Sequence, residues 1–444
     1  MNLVSFSIKT KGAHNFVRRL RTVFTRFGFS DNATRRALFA LLQALQPYAS
    51  APTFFIPAVV LNRHPKLIAE IARQGAEIGI HGHVHNDYRT LSAEQQYTQT
   101  RQAIEIFKRT SINYAGFRNP YLGWNEESLE VFRQLGFRYE SNEAVLHDVV
   151  QLADFSPLLQ SGFAKSLALF QAIACTSYTL RPHFEENLLR IPTSIPDDEM
   201  LFDRLRITNP QQVGQIWSQV MQRVYAHEGI YTLNIHPERG ILCKQALEGL
   251  LKCASSQALP VWITRLDEVA GWWHERRDFR MHITPLESQR WQVQASCTPR
   301  ATILGRCLQV EASPTQPWSD SEQRIEAQDF IVQAAQIPCL ALSARTPAAV
   351  ASFLHEQGYA TVADVAEDAR NDYACYLDLP DGTGQDRAEQ IRLRSELVQK
   401  IEKLDAPLLR FGHWPSGQHA ALAISGDIDS ITIQDFFLRI VEVH

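Results

Sequence analysis

Five residues, HGHVH at 81–85, are the densest chemistry in this 444-residue chain: three of its fifteen histidines stand within them, just past the apolar run EIGI. Imidazoles four apart converge on one metal ion when the segment between them turns helically. The competing reading is a polar loop with one hydrogen-bonded histidine, because His-x-x-x-His also arises by chance. His83, between the other two, points elsewhere, toward solvent or a supporting contact. Other polar side chains end short apolar runs in the same manner: Arg118 after YAGF, His236 after YTLNI, and Arg265 and Asp267 after VWIT. Asp197 and Asp198 follow IPTSIP, and Asp427 and Asp429 sit in ALAISGDIDSIT near the end. Paired carboxylates serve as proton acceptors or metal ligands, but an Asp pair equally begins or caps a helix.

Helical periodicity runs through 33–45, 65–74, 93–108 and 128–135. Short apolar or β-branched runs at 53–56, 77–80, 114–117, 189–192, 230–235 and 260–264 read as buried strands. Alternation of this kind predicts a mainly parallel sheet or barrel, whose chemistry lies on loops past the strand C-termini. The polar residues above occupy those positions. Residues 1–277 form this unit, and 278–410 read as a smaller α+β region of short alternating strands followed by two helices. Residues 411–444 form a buried strand running into an acidic pair, then a helix.

Composition narrows the classes. The net charge is −4 with 21% charged residues, so no basic face for nucleic acid is expected; Arg18, Arg19, Arg21 and Arg26 read as the solvated side of a helix. Seven scattered cysteines include no Cys-x-x-Cys pair, which supports neither a thiolate zinc site nor a disulfide framework. No signal segment or membrane-spanning run is evident, so the expected address is the cytoplasm.

TFFIPAVVLNRHPKLIAEIARQGAEIGIHGHVH resembles the polysaccharide deacetylases (NodB homology, carbohydrate esterase family 4) from their second strand into the metal-binding His-x-x-x-His motif. GFRNPYLGWNEESLEVFRQLGFRYESN is similar to the following Arg-x-Pro-Tyr motif, YTLNIHPE to the late strand ending in a histidine, and VWITRLDEVAGWW to the closing segment. Four motifs agree in order and spacing over about 53–275. The resemblance implies an α/β fold, a NodB-like distorted (β/α) barrel, with the smaller α+β domain added. It implies that His81 and His85 hold a divalent metal, most plausibly Zn2+. Arg118 would orient the catalytic carboxylate, Tyr121 would offer its backbone N–H to the oxyanion, and His236 would protonate the departing amine. Trp124, Trp272 and Trp273 are candidates to stack on a sugar ring, although core packing is the commoner fate of tryptophan.

The family's first motif, a strand ending in two acidic residues, is missing where it belongs: LVSFSIKTKG has Ser7 and Ile8 at those positions. ALAISGDIDSIT (421–432) resembles that motif in its Asp-x-Asp form. The implied arrangement is a circular permutation in which the C-terminal strand enters the barrel, Asp429 becomes the third metal ligand and Asp427 the general base. A helix-capping Asp pair and a truncated second domain are the alternatives. The expected activity is removal of an N-acetyl group from a carbohydrate or related substrate, with no nucleic-acid partner, no transmembrane segment and a homodimer as one route to completing the site. The rival activities are hydrolysis of other non-peptide C–N bonds and a dead, carbohydrate-binding esterase homologue.

Overall fold

The computed structural model describes residues 26–379 and 387–442; Ser7, Ile8, Arg18, Arg19 and Arg21 lie outside them. Arg26, the last of the basic cluster, is paired with Asp203 at 2.8 Å.

Strands and helices alternate through the first part of the chain. The strands are β1 (Thr53–Ile56), β2 (Glu77–Ile80), β3 (Gly116–Phe117), β4 (Tyr139–Glu140), β5 (Ala144–Leu146), β6 (Ile173–Ala174), β7 (His183–Glu185), β8 (Leu188–Arg190), β9 (Thr193–Ile195), β10 (Ile230–Asn234) and β11 (Val261–Thr264). The helices are α1 (Asn32–Leu45), α2 (Ala58–Arg63), α3 (Pro65–Arg73), α4 (Ala93–Arg109), α5 (Glu126–Gln134), α6 (Pro157–Phe170), α7 (Pro210–Ala226), α8 (Gly240–Ser255) and α9 (Leu266–Arg276). Local chemistry sets their starts: Ser92 with Gln95 and Asn125 with Ser128 form reciprocal caps that satisfy the first free N–H groups of α4 and α5.

Residues 420–427 complete the sheet. This tail strand (Ala420–Asp427) lies between β10 and β1 and runs parallel to both, with Ser425 opposite Asn234 and Asp427 opposite Phe55. β11 pairs with its first half, Val261 opposite Ala420. The order continues β1-β2-β3-β4-β8, all parallel, with β7 antiparallel at the edge. β8 and β9 are two parts of one segment, 188–195, interrupted at Pro192, which has no N–H to give the ladder. Its first part pairs with β4 and its second with β5 and β10, so the sheet curls back on itself into a distorted barrel. Gly426 permits the close fit of the tail strand, because a side-chain carbon there would stand 2.3 Å from the Ile235 carbonyl.

Between the barrel and the tail strand, the α+β region holds two four-stranded antiparallel sheets, one of which uses Leu408–Phe411, and a three-stranded parallel sheet. Helices Ala348–Glu356 and Arg387–Glu402 accompany the parallel sheet. Arg410 joins this region to the barrel through Glu228 (2.8 Å) and is held within the region by Glu322 (2.6 Å). Trp272 and Trp273 belong to that junction and not to a sugar platform. Both are buried, the Trp272 indole N–H donates to the His413 carbonyl at 2.7 Å, and Trp273 packs 4.8 Å from Trp414.

Candidate active site

Each residue of interest leaves the C-terminal end of a strand, and the parallel register brings those ends level. His81 follows β2, Arg118 follows β3, and His236 and Asp427 stand two residues past the paired Asn234 and Ser425. Period-two alternation then puts Asn234 with His236, and Ser425 with Asp427, on one face.

Arg118 is wholly buried inside the curl. One terminal nitrogen donates to Asp427 Oδ1 (3.1 Å), Asn234 Oδ1 (2.9 Å) and Ser425 Oγ (3.0 Å). The other reaches Ser141 Oγ (3.1 Å) and Thr193 Oγ1 (3.3 Å), while Nε donates to the Ser141 carbonyl (3.0 Å). The guanidinium lies 4.4 Å from the Phe55 ring centroid. Asn234 Nδ2 holds the second oxygen of Asp427 at 3.1 Å. The Asp427 carboxylate is thus fixed at both oxygens, by Arg118 from the end of β3 and by Asn234 on the neighbouring β10.

His81, His85 and Asp429 converge beside it. Asp429 Oδ1 is 3.4 Å from His81 Nε2 and 3.2 Å from His85 Nε2, yet this buried oxygen has no hydrogen-bond donor among the described residues. His81 gives its Nδ1–H to the Arg118 carbonyl at 2.8 Å, which leaves Nε2 as the nitrogen that faces Asp429. A backbone acceptor on the far nitrogen is how ligating imidazoles are usually oriented. Burial drives the His85 imidazole below its ordinary range despite the pull of Asp429. Asp429 behaves oppositely: burial raises its carboxyl, but His85 and Arg439 hold it well below the usual carboxylate range. One ionised carboxylate oxygen without a donor and two imidazole nitrogens at ligand spacing fit a divalent cation.

His236 lies in a second cluster. Its Nδ1 donates to Asp198 Oδ1 at 2.8 Å, and its backbone N–H to Asp198 Oδ2 at 3.3 Å. Burial works against its charge, but Asp198 wins and raises the imidazole well above 6.5. Asp198 is ionised in turn, pulled down by His236 and Arg239 against burial. Asp197 keeps a helix-start role, accepting the Met200 N–H at 2.8 Å; burial and the Asp198 charge push its carboxyl up to about 7.

Tyr121 turns the chain at φ 59°, a left-handed conformation that is uncommon outside glycine. Its ring stands edge-on to His85 at 4.6 Å. His83 lies on the other side of the loop, where it lines an open groove of about 470 Å³ with Tyr97, Arg101 and Arg109. Two expectations fail. Asp267, expected near the site, is at the far end of the sheet: its backbone N–H donates to Glu77 Oε2 (2.9 Å) and its carboxylate pairs with Arg265 (2.9 Å). Glu77 begins β2, roughly 13 Å along the strand from His81. Trp124 carries the guanidinium groups of Arg190 (4.1 Å) and Arg387 (4.5 Å) over its ring, so these cations stand where a sugar ring would stack.

Sequence reasoning missed Asn234, Ser425, Ser141, Thr193 and Arg439 and gave Asp198 little weight. For Asn234 and Ser425 the signal was present as a polar residue two before each named one. Arg439 had none, since it reaches Asp429 from a helix.

Residues 28–140 match the polysaccharide deacetylase family. A peptidoglycan deacetylase of Helicobacter pylori is 23% identical over 230 residues, covering 47% of this chain and 76% of that protein. The structure of a peptidoglycan deacetylase from Bacillus subtilis covers 55% of this chain and 88% of its own, at 15% identity and a TM-score of 0.31. A carbohydrate esterase family 4 pseudoenzyme from Bacillus anthracis covers 53% and 61%, at 14% identity and a TM-score of 0.34. A segment of the chain, residues 28–140, is thus similar to the polysaccharide deacetylases. Among the described residues no helix is long and apolar enough to cross a membrane.

Proposed function

We propose that the protein is a metal-dependent deacetylase that hydrolyses the N-acetyl group of an acetylated sugar or glycan, with the tail strand supplying the acidic motif that the N-terminal segment lacks. One observation carries this reading: Asp429 Oδ1, buried and without a donor among the described residues, faces two imidazole nitrogens at 3.2 and 3.4 Å. In this reading His81, His85 and Asp429 hold the ion, and the donor set of two imidazoles and one carboxylate suits zinc. A bound divalent cation would polarise the acetyl carbonyl and acidify a water molecule.

The remaining steps belong to the chain. Asp427, held by Arg118 and Asn234, accepts a proton from the attacking water at a carboxylate oxygen. The Tyr121 backbone N–H is the candidate donor to the oxyanion as the carbonyl carbon becomes tetrahedral. His236, kept charged by Asp198, gives its Nε2 proton to the departing nitrogen, so acetate and a free amine leave. The decisive experiment is Asp427→Asn, with acetate release from N-acetylglucosamine oligomers as the assay. Turnover is expected to fall by about 10²–10⁴-fold while zinc binding stays intact; near-normal turnover would remove Asp427 as the base.

A further inference from the structure

The tail does not stop at the acidic pair. A helix (Ile433–Glu442) follows, amphipathic and anchored by Asp435, whose buried carboxylate pairs with Arg63 (2.9 Å) and His64 (2.8 Å) at the end of α2. One turn on from Asp435, on the same helix face, Arg439 reaches back to Asp429 and donates from Nη1 to Oδ2 at 2.5 Å. The two Asp429 oxygens therefore have separate duties: Oδ2 is taken by the guanidinium, and Oδ1 is left toward the imidazoles. The Asp429 side chain is 17% exposed and that of Arg439 27%, so this pair is more sheltered than an ordinary surface ion pair.

We infer that Arg439 is a positioning residue for the metal centre: it locks the Asp429 carboxylate so that a single oxygen is presented between His81 and His85. This rests on the metal-centre reading above. A carboxylate free to rotate would offer either oxygen or both, and each excursion breaks the three-point arrangement. The guanidinium also has an opposing effect, because its positive charge repels a cation nearby. Orientation wins in this inference, since losing a partner that orients a ligand commonly costs metal affinity about 10- to 100-fold.

Zinc affinity, read by competition with a chromophoric chelator, tests this without relying on activity. Arg439→Gln is expected to bind zinc about 10- to 100-fold more weakly than the unaltered protein. Arg439→Lys, which keeps the charge but replaces a fork with a single point, should fall between the two. In an Asp429→Asn background, Arg439→Gln should add no further loss. Unchanged or tighter zinc binding in Arg439→Gln overturns the inference, as does a further loss in the Asp429→Asn background. If Arg439→Gln does not fold, Arg439→Lys decides: reduced affinity supports the inference and unaltered affinity overturns it. A protein that binds no zinc before any substitution fails at the metal-centre reading itself, an outcome distinct from the others.

Discussion

Two clusters at the same end of the sheet use the same residue types to opposite effect. His81, His85 and Asp429 form one; His236, Asp197 and Asp198 form the other; both bring ligand atoms within 4.8 Å of one another. They differ in where the protons are. In the first, His81 points its N–H away to a backbone carbonyl and the facing carboxylate oxygen has no donor. In the second, His236 points its N–H straight at Asp198, and Arg239 reaches Asp198 Oδ2 at 3.2 Å. A carboxylate already bonded to an imidazolium and a guanidinium has little to offer a cation. Spacing alone treats the two as equal; the hydrogen bonds separate the cluster proposed to hold a metal from the one proposed to hold a proton.

The strongest way to break this contrast is to empty each cluster in turn. Asp429→Ala should abolish zinc binding and reduce acetate release by about 10³-fold or more. His236→Ala should reduce turnover by about 10²–10⁴-fold with zinc stoichiometry unchanged in equilibrium dialysis. Zinc lost from His236→Ala would erase the distinction.

Asp198→Asn sharpens it further. Because Asp198 holds the His236 imidazole well above 6.5, removing that charge should move the alkaline limb of the pH–rate profile to lower pH, with the acid limb in place. The stability sign follows as well. A raised histidine contributes stability that is full below its unfolded value of about 6.5 and is lost as pH rises through the folded value. The variant should therefore lose most in melting temperature at acidic pH. An alkaline limb that does not move would mean that some other group carries the proton.

The smallest effect is expected at Asp197. Its carboxyl is pushed up to about 7 by burial and by Asp198, so ionising it is unfavourable in the folded state. Its contribution falls as pH rises from about 4 to 7. Asp197→Asn should change melting least near pH 4 and raise it by roughly 1–3 °C at pH 8, with zinc affinity unaffected. Equal melting shifts at both pH values would contradict a raised carboxyl.

Much of this was legible in the sequence because short strands ending in polar residues announce themselves. EIGI before His81, YTLNI before His236 and ALAISG before Asp427 each couple an apolar run to a chemical group, and all three are strand ends in the structure. The sheet neighbours of ALAISG were less accessible: a period-two pattern shows that a strand is buried but not which strands flank it. Asp267 was misplaced because β11 pairs with the first half of the tail strand, Thr264 opposite Ala423. Its loop therefore emerges two residues short of Ser425. Trp124 was misplaced for another reason. Its partner Arg387 is more than 260 residues away, and no local pattern records such a contact.

The tail strand's central place in the sheet has a consequence for synthesis. Domains tend to fold in order as the chain emerges, yet β1 and β10 have no neighbour between them until residues 420–427 arrive, and the Arg118–Asp427 contact closes a loop of 309 residues. The nascent protein must therefore carry unpaired edges on β1, β10 and β11 through the making of the whole α+β region. That interval is when it is most exposed to aggregation and most in need of a chaperone.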